Sequence, residues 1–340
     1  MVASAAEDAL ASGLLGDDIE EAQEPEAGAE LRALTVGIPQ HGERLDKALA
    51  QLVPEFSRSY LQQLLAAGAL RLNGQSVSKS SLRVKAGDSM GLEMRPTQES
   101  QAFRPEHIAL DVVYEDAHLL VVNKPAGLVV HPAPGNWSGT LLNALLGRDA
   151  RAVEVPRAGI VHRLDKDTSG LMVVARTRAT MDALVRMIGE RQVHRQYLAL
   201  ARGQWHGPIN RQVDAAIGRD PRNRLRMAVV DLTRQAGKSA RTDFHLLHQS
   251  EEHCLVRCVL HTGRTHQIRV HMAHIGLPLL GDSLYGGASG LGLARQALHA
   301  TRLAFSHPDS GKQLVFDAPP PDDLLNAMVL AGAEAQSRHG

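Results

Sequence analysis

The sequence predicts an α+β protein built in two parts. Three observations carry this. Short apolar runs rich in Val, such as 119–122 and 171–175, read as buried strands. Between them lie segments whose apolar residues recur at helical spacing, such as Met181, Leu184, Val185 and Ile188. A polar stretch at 95–106 with two prolines reads as a linker separating one set of elements from the next. A chain of 340 residues, 44% hydrophobic, is long and apolar enough for two packed domains.

Composition narrows the class of function. No apolar run approaches the ~18 residues that would span a bilayer. The N-terminus has no basic region followed by an apolar segment, so no secretory signal is expected. The two cysteines, Cys254 and Cys258, would share one face of a strand, which suits core residues in a reducing cytoplasm. Net charge is zero but unevenly placed. Residues 1–31 carry nine acidic residues and no Lys or Arg, leaving 37 basic against 28 acidic residues, or +9, in the remainder. Residues 1–34 are therefore expected to be a disordered acidic tail. The basic body suits an anionic partner such as nucleic acid, although charge alone does not decide it.

Residues 35–94 form the first module. Leu45, Ala48, Leu49 and Leu52 have helical spacing that Pro54 ends. Ser57 or Ser59 can cap a second helix carrying Leu61, Leu64 and Leu65, with Gly68 as its stop. A strand at 70–72 runs into Asn73-Gly74, a strong hairpin turn, and Gly87-Asp88 turns the chain into a last strand at 90–94.

The second part, 107–328, contains the chemistry. Residues 119–122 and 128–130 read as strands around the turn Asn123-Lys124-Pro125-Ala126-Gly127, and Thr140 opens a short buried helix that Gly147 stops. Its centre is His162-Arg163-Leu164-Asp165-Lys166-Asp167-Thr168-Ser169-Gly170. This polar cluster lies between apolar runs, 159–161 and 171–175, both read as strands. On a strand, Arg163 and Asp165 would share a face. The bland reading is a solvated turn in which Asp165 and Asp167 cap backbone amides. Further on come a helix near 178–190, a strand through Arg195-Gln196-Tyr197, and a strand at 254–260. A helix follows, carrying Ile268, Met272 and Ile275, and Gly276 stops it. Residues 219–241 hold seven basic and two acidic residues with no regular period, and read as a basic loop or hairpin that clamps nucleic acid. His266, His271 and His274 do not follow a common zinc-ligand spacing and have no carboxylate among them, so no metal site is expected. A short helix after Pro321 precedes a flexible C-terminus at 329–340.

His-Arg-Leu-Asp followed by Thr-Ser-Gly, at 162–165 and 168–170, resembles the catalytic signature of the RluA family of pseudouridine synthases. So do Asn123-Lys124-Pro125-Ala126-Gly127, Val130-His131-Pro132, Gly263-Arg264-Thr265-His266-Gln267-Ile268-Arg269 and Pro278-Leu279-Leu280-Gly281-Asp282. The sequence from Arg44-Leu45-Asp46 through Asn73-Gly74 to Gly87-Asp88 is similar to the S4 RNA-binding domain. Within the family, 129–132 and 160–163 look most like the branch acting on large-subunit rRNA.

The resemblance implies a mixed, mostly antiparallel sheet with flanking helices, and a small S4 module of a helical hairpin and strands. It implies isomerisation of uridine to pseudouridine by a cytoplasmic, monomeric enzyme. The partner is RNA, either large-subunit rRNA or a pre-ribosomal subunit, and no cofactor is required. Asp165 falls on the essential carboxylate and Tyr197 on the active-site tyrosine, while Arg195 stands where a lysine is usual. A carboxylate withdrawn from water tends to take up a proton, which a guanidinium opposes, so either Arg264 or Arg269 is expected to bridge Asp165. Arg163 is expected to contact RNA or help extrude the base. Candidate phosphate contacts are Arg58, Arg71, Lys79, Arg83 and Lys85 in the first module and Arg222, Arg224 and Arg226 in the second. Other readings stay open: an assembly factor with an idle pocket, a synthase of the same family acting on tRNA, and a hydrolase using Asp165 and Asp167 as an acid–base pair.

Overall fold

A computed structural model describes residues 30–56, 58–94, 102–133, 135–223 and 225–333. The chain divides into two compact units, Met1–Thr97 and Gln98–Gly340. Most of the expected acidic tail and linker, and the candidate cap Ser57, lie outside the described residues.

The first unit contains β1 (Glu30–Thr35), α1 (Leu45–Leu52), α2 (Arg58–Ala66), β2 (Leu70–Leu72), β3 (Gln75–Ser76) and β4 (Ser89–Met94). Its sheet runs in the order β1-β4-β2-β3. Leu45, Ala48 and Leu49 of α1 and Leu61, Leu64 and Leu65 of α2 bury their spaced apolar faces with Leu70, Met90 and Leu92 of the sheet. Asn73 and Gly74 both take positive φ, 51° and 80°, as a two-residue hairpin demands. Residues 30–34, expected to end the tail, instead form β1, registered from Glu30 opposite Met94 to Thr35 opposite Ser89. The strand exists because β4 has a free edge to pair, which a short and weakly alternating sequence does not announce.

A second departure concerns Arg58, expected to contact phosphate. The fully buried carboxylate of Asp46 accepts hydrogen bonds from Arg44, Arg58 and Gln62. Burial by itself would raise the pKa of Asp46, but these donors outweigh it and hold the carboxyl well below the usual range. Arg58 is thus largely committed to joining the two helices.

Among the described residues, the second unit is built on a nine-stranded sheet. In chain order its elements are β5 (Asp111–Glu115), β6 (Leu119–Lys124), α3 (Leu141–Arg148), β7 (Ser169–Ala175), α4 (Arg178–Gly189), β8 (His194–Arg202), β9 (Asn210–Asp214), β10 (Ile217–Arg219), β11 (Met227–Val229), β12 (Gly237–Lys238), β13 (Arg241–Gln249), β14 (His253–Leu260), α5 (Gln267–His274), β15 (Leu298–Ser306), β16 (Gln313–Asp317) and α6 (Asp322–Leu330). The sheet order is β5-β6-β7-β15-β8-β14-β13-β9, with β16 on β15. Every pairing is antiparallel except β7 with β15. The expected mixed, mostly antiparallel sheet is therefore what forms.

Strand β7 is the axis of this unit, and all seven of its residues are buried. Its period-two alternation sends Met172 and Val174 into a core with Leu141, Leu142 and Leu145 of α3 and Ile268 and Met272 of α5. Leu171 and Val173 enter a second core with Leu184 and Met187 of α4. Cys254 and Cys258 are buried in the first core.

Several expectations are corrected. Residues 128–130 are not a strand, and of 159–161 only Ile160 pairs, as an isolated bridge to Val174. Strand β15 pairs with β7 only at Ser169 and Gly170; further along that edge β7 meets the Ile160 bridge and the His162 side chain. Gly147 does not stop α3. The helix continues to Arg148, and the Glu106 backbone occupies the place where a Cβ at Gly147 would stand. The end of the expected linker belongs to the second unit: Asn143 donates to the carbonyls of Ala102 and Arg104, and Glu106 accepts from the Gly139 amide. Residues 329–333, expected to be flexible, extend α6 and its cap, with Ala331 and Ala333 buried. Residues 219–241 fold as a small three-stranded sheet in the order β11-β10-β12.

Replacing Asp46 with Ala should reduce hydrogen-exchange protection of α1 and α2 in the intact chain by about 2 kcal/mol, or ~30-fold. Because the folded pKa of Asp46 is depressed, its contribution is fully present above about pH 4 and is lost as pH falls towards the folded value. Unchanged protection in the variant would show the Asp46 network to be energetically idle.

Candidate active site

The segment between the Ile160 bridge and β7 is a loop, and it is tied down from several sides. The Val173 amide donates to His162 Nε2 at 3.0 Å, which holds the loop's start against β7. The buried ammonium of Lys124 donates to the carbonyls of Pro125, Leu128 and Lys166 at 2.7, 2.9 and 3.0 Å. The carbonyl of Lys166 also accepts from the Gly127 amide. Arg295 donates to the Asp167 carbonyl, and Gln296 to Thr168 Oγ1. Ser169 Oγ is 2.9 Å from His299 Nδ1. Gly170, at φ 117°, leaves room for the Ala300 backbone at the parallel junction of β7 and β15. Asp165 thus sits on irregular backbone that is nonetheless fixed, on both sides of the one residue whose position matters most.

Asp165 faces a cleft of about 470 Å³ lined by Arg163, Tyr197, Arg264, His266 and Arg269 among others. The expected bridge from the distant arginines is made by Arg269 of α5, whose Nη1 donates to Asp165 Oδ2 at 3.0 Å. Arg269 gives its two-pronged face to Asp282 instead, Nε at 2.7 Å and Nη2 at 2.8 Å. The guanidinium is held further by the Tyr285 ring, 5.0 Å away. Asp282 is 1% exposed, so the pairing is formed largely out of water. Burial opposes the charge on Arg269, and the two carboxylates outweigh that cost.

The other expected residues are placed as follows. Tyr197, on β8, is buried in the cleft wall, and burial pushes its phenol above the ordinary value. Arg195 is buried beside it, its guanidinium against Gly263, where a side chain would crowd it. Arg264 does not reach Asp165; it is half-buried, with Nε donating to the Ser239 carbonyl. Arg163 is exposed on the loop and makes no hydrogen bond or ion pair among the described residues, and it does not share a strand face with Asp165. Arg226 is drawn into an ion pair with Asp220 and is not a free basic contact. Arg222 is exposed, and Arg224 lies outside the described residues. In the first unit Arg71, Lys79 and Lys85 are exposed, while Arg83 donates to the Gly42 carbonyl.

Three residues of the site have no role that the sequence alone assigns. Asp282 stands in a quoted motif, and only its spatial meeting with Arg269 reveals what it does. Lys124 likewise stands in a turn motif; its burial brings its pKa down to about 7, against the pull of Asp167 and Asp165. His266 stands in a quoted motif too, and from sequence it is weighed only to set a metal site aside. Its Nε2 lies 3.9 Å from Asp165 Oδ1 and its Nδ1 2.8 Å from Tyr285 Oη. His271 points elsewhere, to Thr242 and the Ala215 carbonyl, so these histidines do not converge. Among the described residues, no cluster of His, Cys, Asp or Glu could hold a metal ion.

Residues 118–274 match the family described as RNA pseudouridylate synthase, and residues 43–89 match the S4 domain. The protein named ribosomal large subunit pseudouridine synthase D from Neisseria meningitidis serogroup A is 48% identical over 89% of this chain and 82% of its own length. Its namesake in Xanthomonas campestris pv. campestris is 46% identical over 88% and 92%. A solved structure of human RNA pseudouridylate synthase domain containing 1 overlays with a TM-score of 0.51 at 29% identity, covering 67% of this chain and 87% of that one. The chain belongs to the RNA pseudouridylate synthase family. It is an RNA pseudouridine synthase with an S4 domain ahead of the synthase domain.

Arg269→Lys keeps a positive charge but cannot hold both carboxylates with one planar fork. It should lower kcat by about 10²-fold while the variant stays folded, since effects of this size follow small misplacements of a reacting group. Pseudouridine formation on unmodified RNA, read beside the circular dichroism of the variant, checks this. Unimpaired turnover would show that orientation of Asp165 by Arg269 does not matter.

Proposed function

We propose that this enzyme isomerises uridines of large-subunit rRNA in the cytoplasm, acting as a monomer without a cofactor, and that Asp165 is its catalytic carboxylate. The observation that carries this is the clamped Asp165 at the base of a cleft rimmed by guanidiniums. The names of the relatives supply the rRNA target. The net reaction is an isomerisation and calls for no external oxidant or reductant. Uracil detaches from C1′ of the ribose, turns, and rejoins through C5. Asp165 acts on the sugar or base, Arg269 keeps its carboxylate aimed, and Tyr197 packs on the uracil face. To reach Asp165 the base must leave its stack, at a cost of a few kcal/mol, which favours loops and bulges in the RNA. Arg163 and Arg264 are positioned to hold phosphates or fill the vacated stack.

In this reading 35–94 is a second grip on RNA tethered to the synthase domain at 107–328. A tether raises the local concentration of the active site at its target without changing the site itself. Arg71, Lys79 and Lys85 are among the cations of that module that face solvent.

Two outcomes are expected. Carbodiimide mapping of unmodified large-subunit rRNA should give new stops with the intact enzyme and none with Asp165→Ala, whose RNA affinity should stay within a few-fold. Stops on tRNA alone would move the target, and normal product from the variant would remove Asp165 from its role. Deleting residues 1–94 should weaken RNA binding and flatten its dependence on salt, because each phosphate that the protein no longer neutralises lowers the slope by about one unit. Equal modification by the truncated enzyme at every salt concentration would leave the first module without a part in recognition.

A further inference from the structure

We propose that His266 is a catalytic residue: its Nε2 takes the proton that C5 of the uracil must lose once the base has rejoined the ribose. This rests on the reading of Asp165 given above and adds a second group to it. When uracil rejoins through C5, that carbon carries both its hydrogen and the new bond to C1′. The C5–H bond then breaks and its electron pair becomes the C5=C6 double bond. The electrons of the N1=C6 bond move to N1, which takes up a proton. One proton leaves carbon and one arrives at nitrogen, so the step balances with a single base that can later release its proton to N1 or to solvent.

The base must lie within reach of the carbon bonded to C1′, and therefore close to Asp165. His266 Nε2 is 3.9 Å from Asp165 Oδ1 and opens on the same cleft. Its ring is fixed on the far side. Nδ1 is 2.8 Å from Tyr285 Oη, which accepts the Met227 amide at 2.9 Å, and the two rings meet edge to face. In the tautomer protonated at Nδ1, which donates to Tyr285 Oη, Nε2 presents its lone pair to the cleft. The imidazolium formed on proton uptake then faces the carboxylate of Asp165. His266 holds a left-handed backbone, φ 56°, ahead of α5, a conformation that non-glycine residues adopt at a cost and that clusters at functional sites.

The groups facing His266 are Asp165 and Arg163 from the loop, Arg269 from α5, and Asp282 and Tyr285 from the segment beyond it. Burial, with Arg269 and Arg163, keeps its pKa below the ordinary histidine value against the pull of Asp165 and Asp282. The ring is thus uncharged and able to accept a proton near neutrality. Tyr197, whose phenol burial pushes the opposite way, stays protonated.

The test uses the full chain on RNA carrying deuterium or hydrogen at C5. Asn and Gly tolerate the left-handed backbone, so His266→Asn and His266→Gly should fold. His266→Asn should slow turnover by about 10²-fold or more. It should also expose a primary isotope effect at C5 and shift the acid limb of the pH–rate profile, which in the intact enzyme reports His266 taking up a proton before catalysis. Added imidazole should restore rate to His266→Gly. Near-normal turnover in His266→Asn with no C5 isotope effect overturns the proposal while leaving Asp165 in place. A slow variant with neither isotope effect nor imidazole rescue also overturns it, since loss of packing alone would behave in that way. Failure of the intact chain to convert uridine removes the reading of the whole site, and this proposal with it.

Discussion

The guanidinium of Arg269 is the point at which the synthase unit closes. One plane of donors reaches two carboxylates that are far apart in sequence, Asp282 through Nε and Nη2 and Asp165 through Nη1. The pairing with Asp282 is the structural half: it sets the rotation of the guanidinium and leaves one N–H pointing at the cleft. That remaining donor is the functional half. Lysine, a point charge, could satisfy either carboxylate but could not fix the angle between them. Because the pair is almost wholly buried, neither partner can be removed without stranding the other, which makes the arrangement rigid as well as charged.

Asp165 itself sits on backbone with no strand of its own, and the fold compensates by enclosing that backbone in hydrogen bonds. The most unusual of these come from Lys124, which spends its ammonium on three carbonyls although carboxylates lie nearby. One of those carbonyls, that of Lys166, adjoins Asp165, so the buried lysine and the buried arginine fix this segment from opposite ends. His162 does the same for the start of the loop by accepting an amide of β7 in place of a strand carbonyl. The regular sheet supplies the frame, and side chains supply the hydrogen bonds that an irregular catalytic loop cannot make for itself.

Much of this was legible in the sequence where local chemistry decides the outcome. The alternation of β7, the spacing of α1, α2 and α5, the Asn73-Gly74 turn and the capping of α3 by Thr140 all follow from a few neighbouring residues. What failed to show was whatever depends on a distant partner. The run at 159–161 has a strand's composition, but beside β7 it makes only the Ile160 bridge before the His162 side chain takes the next amide. Strand β1 has little strand character, yet β4 offers it an edge. Arg58 and Arg226 read as free cations until Asp46 and Asp220 are seen beside them. Asp165, Arg269 and Tyr197 were legible through the likeness of their motifs. Asp282, Lys124 and His266 lay inside the same motifs and acquired meaning only from geometry.

The charge in the cleft is divided by kind. His131 and His162 are held down to about 4 and about 3, by burial first and then by Arg163 and Arg157 for the one and Arg195 for the other. They contribute shape and hydrogen bonds near neutrality, not charge. The positive potential that draws a phosphate backbone comes from guanidiniums, which do not titrate in the physiological range. In the proposed reading, grip on RNA is thereby insulated from pH, and sensitivity to pH is left to groups that lie against the reacting base. In the proposed role of His266, a site organised in this way can hold a proton-accepting imidazole beside a carboxylate, because burial first, and then Arg269 and Arg163, oppose its charge.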